Sequence, residues 1–177
     1  MNVQTAKVNL EDHIRDIPDF PKPGIIFKDI TPLLKNPVPF QAAIDQMVSH
    51  YKGMDIDYVV GIESRGFIIG APMAYQLGVG FIPIRKPGKL PYETERIDYT
   101  LEYGVGSLEI HADALSKGHR ILIVDDLLAT GGTVAATRTL IERLGGHVAA
   151  CGFVIELTFL NGKEKLPGLE IHSLIKY

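Results

Sequence analysis

Two adjacent carboxylates, Asp125 and Asp126, stand just before a small-residue turn, Ala129-Thr130-Gly131-Gly132-Thr133. Neighbouring carboxylates suit the hydroxyls of a sugar, or a hydrated magnesium ion. The turn opens a helical pattern over residues 134–144 that Gly145-Gly146 stops. Its backbone N–H groups therefore lie at a helix entrance, where a phosphate binds readily. Upstream, Ile121-Leu122-Ile123-Val124 reads as a strand buried on both faces that ends at the two acids. The ligand these pieces describe is a phosphorylated sugar. Residue types exclude two other phosphate loops. There is no Gly-Lys followed by Ser or Thr, as a Walker loop needs, and no Gly-x-Gly-x-x-Gly directly after the strand. Asp126 is expected to face solvent or ligand rather than core.

Cations follow two other apolar runs. Glu63-Ser64-Arg65-Gly66 comes after the run 58–62, and Arg85-Lys86-Pro87-Gly88-Lys89 after the run 81–84. Arg65 offers a planar fork for two phosphate oxygens; Lys86 and Lys89 offer mobile point charges. The ends of successive buried strands cluster at one edge of an open α/β sheet. A diphosphate under these cations and a 5′-phosphate in the turn at 129–133 would together span one sugar. Taken alone, the 85–89 segment reads equally as a solvated loop. Residues 88–97 have the composition of a lid. Downstream, Leu101-Glu102-Tyr103-Gly104 supplies a carboxylate that a closing loop could use as a general base once water is excluded. On spacing alone Glu102 is as much a surface acid of a hairpin. The histidines show no metal-ligand spacing, and no serine, cysteine or lysine nucleophile sits in a known motif.

The elements that must position these residues follow from periodicity. Asn9 caps an expected short helix over residues 9–17, with Asp12 at its third position. Phe20-Pro21-Lys22-Pro23-Gly24 is a rigid turn, and Ile25-Ile26-Phe27 a short strand. Phe40, Ala43, Ile44, Met47, Val48 and Tyr51 share one face of a helix starting near Pro39. Strands are expected at 58–62, 81–84, 121–124, 148–155 and 170–175, with helices at about 66–77 and 134–144. The polar stretch after Arg85 reads as too irregular for an element, with strand and turn signals resuming over residues 99–110. Strands alternating with helices predict an α/β fold with a doubly wound, mostly parallel sheet and an inserted antiparallel hairpin.

The bulk properties agree with a packed domain. The chain has 177 residues, 46% hydrophobic and 22% charged, enough to build a substantial core. A net charge of −3 without a basic tail argues against nucleic acid as the main partner. Cys151, the one cysteine, reads as a buried small hydrophobe in a reducing compartment. Neither a signal peptide nor a membrane span is legible, so a cytoplasmic protein is expected.

Residues 124–133 resemble the PRPP-binding signature of type I phosphoribosyltransferases. Asp19-Phe20-Pro21-x-Pro23-Gly24-Ile25-Ile26-Phe27-Lys28-Asp29-Ile30-Thr31-Pro32-Leu33-Leu34 is similar to the N-terminal segment of the adenine-specific branch. The segments 61–67, 85–91 and 101–104 resemble that branch as well. The resemblance implies one domain over residues 1–177, with a hood at about 1–34 and a core at 35–177 whose lid spans 85–106. It implies transfer of a phosphoribosyl group from PRPP to adenine, giving AMP and pyrophosphate, with Mg2+ bound mainly through PRPP and possible help from Asp125. Asp125 and Asp126 would hold the ribose. Leu128, Ala129, Thr130, Gly131, Gly132 and Thr133 would bind the 5′-phosphate. Glu63, Ser64, Arg65, Arg85, Lys86 and Lys89 would form the pyrophosphate site, one cation reaching from a neighbour in a homodimer. Ile26, Phe27 and Lys28 would line the adenine pocket, with Phe159 or Leu160 closing it. Glu102 would accept the purine proton, with Tyr103 and Arg65 beside the reacting groups. The competing expectations are a transferase for another purine and a PRPP-binding regulator without catalysis.

Overall fold

The computed structural model describes residues 8–101 and 104–177. Its centre is a five-stranded parallel sheet built from β3 (Tyr58–Ile62), β4 (Gly80–Ile84), β7 (Arg120–Leu128), β8 (His147–Glu156) and β9 (Glu170–Lys176), in the order β4-β3-β7-β8-β9. The strands are apolar on both sides because both faces are covered. Helices α1 (Thr31–Lys35), α2 (Pro37–Tyr51) and α3 (Arg65–Leu77) pack on one face against Val59, Leu122 and Val124. Helix α4 (Gly132–Arg143) covers the other face over Val60, Ile121 and Ile123, together with Leu108 and Ile110 from an inserted ribbon. Cys151 lies fully inside, where burial pushes its thiol up to about 12. No helix among the described residues is long and apolar enough to cross a membrane.

Two small antiparallel sheets flank this core. β1 (Arg15–Pro18) pairs with β2 (Ile26–Asp29), and β5 (Thr94–Leu101) with β6 (Gly104–His111). The expected helix at 9–17 is replaced by a single turn at Glu11–His13 followed by β1. Asn9 donates its side-chain amide to Asp12 instead of capping backbone. Arg15 reaches across to Asp29, an ion pair that makes strand pairing the better option for residues 15–18. The polar stretch is also more regular than expected, since β5 starts at Thr94. Ile97 and Tyr99 alternate inward onto α4 while Arg96 and Asp98 face out and share Ser107. Charge on the outer face hides a period of two. The short helix α1, with Pro32 in its first turn, was not legible either.

The sheet order makes the chain turn back between β3 and β7, and ligands in open α/β sheets sit at such a reversal. Pairing between these strands stops at Gly61 and Val124, whereas β7 runs on beside β8 through Asp125, Leu127 and Leu128. The acids therefore do not end the strand, as the sequence suggests. They lie on a strand that has lost its neighbour on one side.

Candidate active site

A crevice opens where β3 and β7 part. α3 begins there, directly after Glu63-Ser64, and must pass close to β7. A Cβ on Gly66 would lie 2.8 Å from the Val124 carbonyl and 3.0 Å from Asp125 Oδ1. Only glycine lets the helix start so near the acid pair. The resulting cavity measures about 660 Å³ and is lined by Glu63, Ser64, Arg65, Lys86, Asp125, Asp126 and Thr133 among others. Tyr99 and residues 105–108 of the ribbon form another wall.

The carboxylates of this cavity and Arg65 have local partners. Arg65 Nε donates to Asp126 Oδ2 at 2.5 Å. Asp126 is only 3% exposed, yet it lines the cavity, so it meets the crevice from a nearly closed seat. Asp125 accepts the N–H of Asp126 at 2.9 Å. Burial, aided by the adjacent Asp126 charge, holds the Asp125 carboxyl well above the usual carboxylate range. Glu63 has a side chain 8% exposed and accepts from Lys89 Nζ, from Lys86 N at 2.9 Å and from Arg85 Nε at 3.4 Å. Burial alone would raise its pKa. The hydrogen bonds from Lys89 and the Lys86 N–H outweigh that effect and hold it below its ordinary value. Glu109 of β6 completes the support by accepting Gly88 N at 3.0 Å, while its main chain bonds Arg85 in both directions. The cationic turn is thus built as a unit, with Lys86 and Lys89 exposed at its surface.

A second, smaller cavity of about 80 Å³ lies at the start of α4, lined by Asp125 and residues 127–134. The first N–H groups of a helix lack intrahelical partners, and no side chain caps this one. Gly131 sits at φ 76°, and its missing Cβ would collide with the Gly162 carbonyl. A Cβ on Gly162 would in turn collide with the carbonyl of Ala129. Two backbone segments touch here without side chains between them. Thr133 Oγ1 meets Tyr99 Oη at 3.2 Å, tying the turn to the ribbon.

Ile26, Phe27, Lys28, Phe159 and Leu160 line neither cavity. Phe27 is linked to the site through Arg65, whose guanidinium lies 5.5 Å from the centre of its ring. Phe20 meets the same ring edge-on at 5.3 Å. Ile26 and Phe159 are exposed, the latter by 68%. The side chain of Lys28 points away to Asp16 and Tyr177. Glu102 and Tyr103 lie outside the described residues. Tyr99, Glu109 and Gly162 were not singled out from sequence. The period-two pattern around Tyr99 was a usable signal, whereas the Gly131–Gly162 contact joins segments that share no local pattern.

A sheet reversal with paired acids, a phosphate-type helix entrance and a cationic turn defines a class. The chain belongs to the phosphoribosyltransferase family: residues 33–165 match the model of the phosphoribosyl transferase domain. Within that family it groups with the adenine phosphoribosyltransferases. It is 60% identical to the adenine phosphoribosyltransferase of Methylococcus capsulatus over 168 residues, covering 95% of this chain and 98% of that one. The crystal structure of adenine phosphoribosyltransferase from Thermoanaerobacter pseudethanolicus superposes with a TM-score of 0.92 at 55% identity, covering 96% of this chain and 100% of that one. The Saccharomyces cerevisiae enzyme, solved with an imino-altritol bisphosphate and adenine, gives 0.87 at 42% identity, covering 93% and 96%.

Proposed function

We propose that this protein transfers the 5-phosphoribosyl group of PRPP to adenine, releasing AMP and pyrophosphate in purine salvage. The observation that carries the reading is the pair of adjoining cavities, sharing Asp125 and Thr133, that bring acids, cations and a helix entrance together. Displacement at the anomeric carbon develops positive charge on the sugar and negative charge on the departing pyrophosphate. Asp125 and Asp126 sit where the ribose hydroxyls and the growing positive charge would lie. Lys86, Lys89, Arg85 and Arg65 supply countercharge for the diphosphate, and Ser64 adds a hydroxyl beside them. Glu63 is an anion and serves this site indirectly, by holding Lys89 and the Lys86 amide in place. The N–H groups at residues 130–133 receive the 5′-phosphate.

The base is taken to stack on Phe27, with Ile26 and Lys28 contributing backbone groups and Phe159 or Leu160 closing the far side. Glu102 accepts the proton that adenine loses as its ring nitrogen bonds to the sugar, with Tyr103 beside it. The ribbon wall at Tyr99 and residues 105–108 helps to exclude water, which would otherwise hydrolyse PRPP.

Among the described residues no cluster of three or more His, Cys, Asp or Glu side chains is arranged to hold a metal by itself. A carboxylate on the crevice suits a magnesium ion that would be held mainly through PRPP and pyrophosphate. Asp125 would be its protein contact, and the ion would neutralise charge on the leaving group. In the same reading the enzyme is a cytoplasmic homodimer. Incubation with PRPP, adenine and Mg2+ tests the proposal. AMP and pyrophosphate in equal amounts are expected. PRPP binding without pyrophosphate release would instead make the protein a sensor.

A further inference from the structure

Residue Tyr177 holds two segments that are far apart in sequence, and both belong to the proposed base site. Neighbouring residues of a strand point to opposite faces. On β2, Phe27 faces Arg65, and Lys28 faces the other way. The Lys28 ammonium lies 2.6 Å from Asp16 Oδ1 and 3.7 Å from the centre of the Tyr177 ring. The Lys28 side chain is only 13% exposed, so it is shielded from water, which strengthens its attraction to an aromatic face. A two-stranded sheet is marginal on its own in water, so β1–β2 needs such anchorage.

The main chain of Tyr177 fixes the opposite side. Its N–H donates to the Glu156 carbonyl at 3.0 Å, directly beyond β9. Its own carbonyl oxygen accepts both the N–H of Thr158, at 2.8 Å, and the Thr158 hydroxyl, at 2.6 Å. Thr158 opens the single turn Thr158–Leu160, which carries Phe159 and Leu160.

We infer that Tyr177 is a positioning residue for the purine: its ring anchors the strand that bears Phe27 while its carbonyl anchors the turn that bears Phe159. One residue thus ties the strand that carries Phe27 to the turn that carries Phe159. The inference rests on the proposed adenine site. The role belongs to the ring and the main chain, so the hydroxyl is dispensable.

Steady-state kinetics on the full chain test this, with adenine and PRPP varied separately. Tyr177→Ala is expected to raise KM for adenine about fivefold or more while KM for PRPP stays within about twofold. Tyr177→Phe keeps the ring and is expected to restore the adenine KM. Lys28→Met keeps the aliphatic stem, removes the charge, and should reproduce the Tyr177→Ala effect in a variant that leaves the 158–177 contact intact. An unchanged adenine KM in both Tyr177→Ala and Lys28→Met overturns the inference. So does a parallel rise for both substrates, which would mark a merely structural residue, or a failure of Tyr177→Phe to restore adenine binding. Absence of AMP formation by the unaltered protein would instead remove the adenine site itself, before any variant is compared.

Discussion

Asp126 combines a charge with near-complete burial, and Arg65 makes that tolerable. A buried carboxylate without a partner is costly, and the 2.5 Å contact from Arg65 Nε supplies one. The arginine side chain is itself 46% exposed, so it can turn to water when the acid is removed. Asp126→Ala is therefore expected to cost about 1.5–3 kcal/mol, the range for a hydrogen bond to a charged group. The same substitution should lower kcat/KM about 100-fold or more, as loss of a preorganised electrostatic group does. Thermal unfolding and initial rates check both parts. Normal turnover would remove Asp126 from the reaction, and an unchanged Tm would deny its structural role. At this scale the acid pair was legible because two adjacent carboxylates before Thr-Gly-Gly-Thr have few other uses. The burial of Asp126 was not, because it depends on Arg65, which is 61 residues away.

At the scale of elements, strands and helices with an internal period were readable, and those made by pairing were not. β3 follows from the apolar run of residues 58–62, and α2 from the spacing of Ala43, Ile44, Met47 and Val48. β1 exists because Arg15 finds Asp29 across a turn, a contact no local pattern announces. That pair also gives the β1–β2 sheet its pH dependence. Burial pushes the Asp29 carboxyl up, but the Thr31 N–H and Arg15 outweigh it, so its pKa falls below the ordinary value of about 3.9. A lowered folded-state pKa gives stability that is present above the unfolded value and lost as pH falls through the folded one. Asp29→Asn should thus lower Tm at pH 7, and the gap from the parent should shrink as the medium is acidified below about pH 3.9. A gap of constant size would show that the charge of Asp29 is irrelevant. The turn that opens α4 has an equally non-local support in Gly162. Its Cβ position is blocked by the Ala129 carbonyl, a backbone atom that cannot swing aside. Gly162→Ala is expected to destabilise by about 2 kcal/mol or more, in the range of overpacked sites. It should also raise KM for PRPP. Unaltered Tm and KM would mean that the two segments part without consequence.

At the scale of the whole molecule, sheet order converts these parts into one site. With the order β4-β3-β7-β8-β9, the loops after β3, β4 and β7 converge, although their sequence positions span residues 63–133. The prediction of an α/β sheet with an inserted hairpin needed only alternation of periods, and the crevice followed from the rule about strand ends. Base recognition was less legible. Phe27 and Phe159 are proposed for it on the strength of family resemblance, and the Tyr177 contacts with Lys28 and Thr158 join segments that share no local pattern. Choice of base rests on a few hydrogen bonds, and a site shaped around an amino group rejects an oxo base strongly. The most direct measurement is pyrophosphate release from PRPP and Mg2+ with adenine, hypoxanthine and guanine in parallel. The expected kcat/KM for adenine is at least about 1,000-fold above that for either oxo base. Comparable turnover with hypoxanthine or guanine, or no release with adenine, would contradict it.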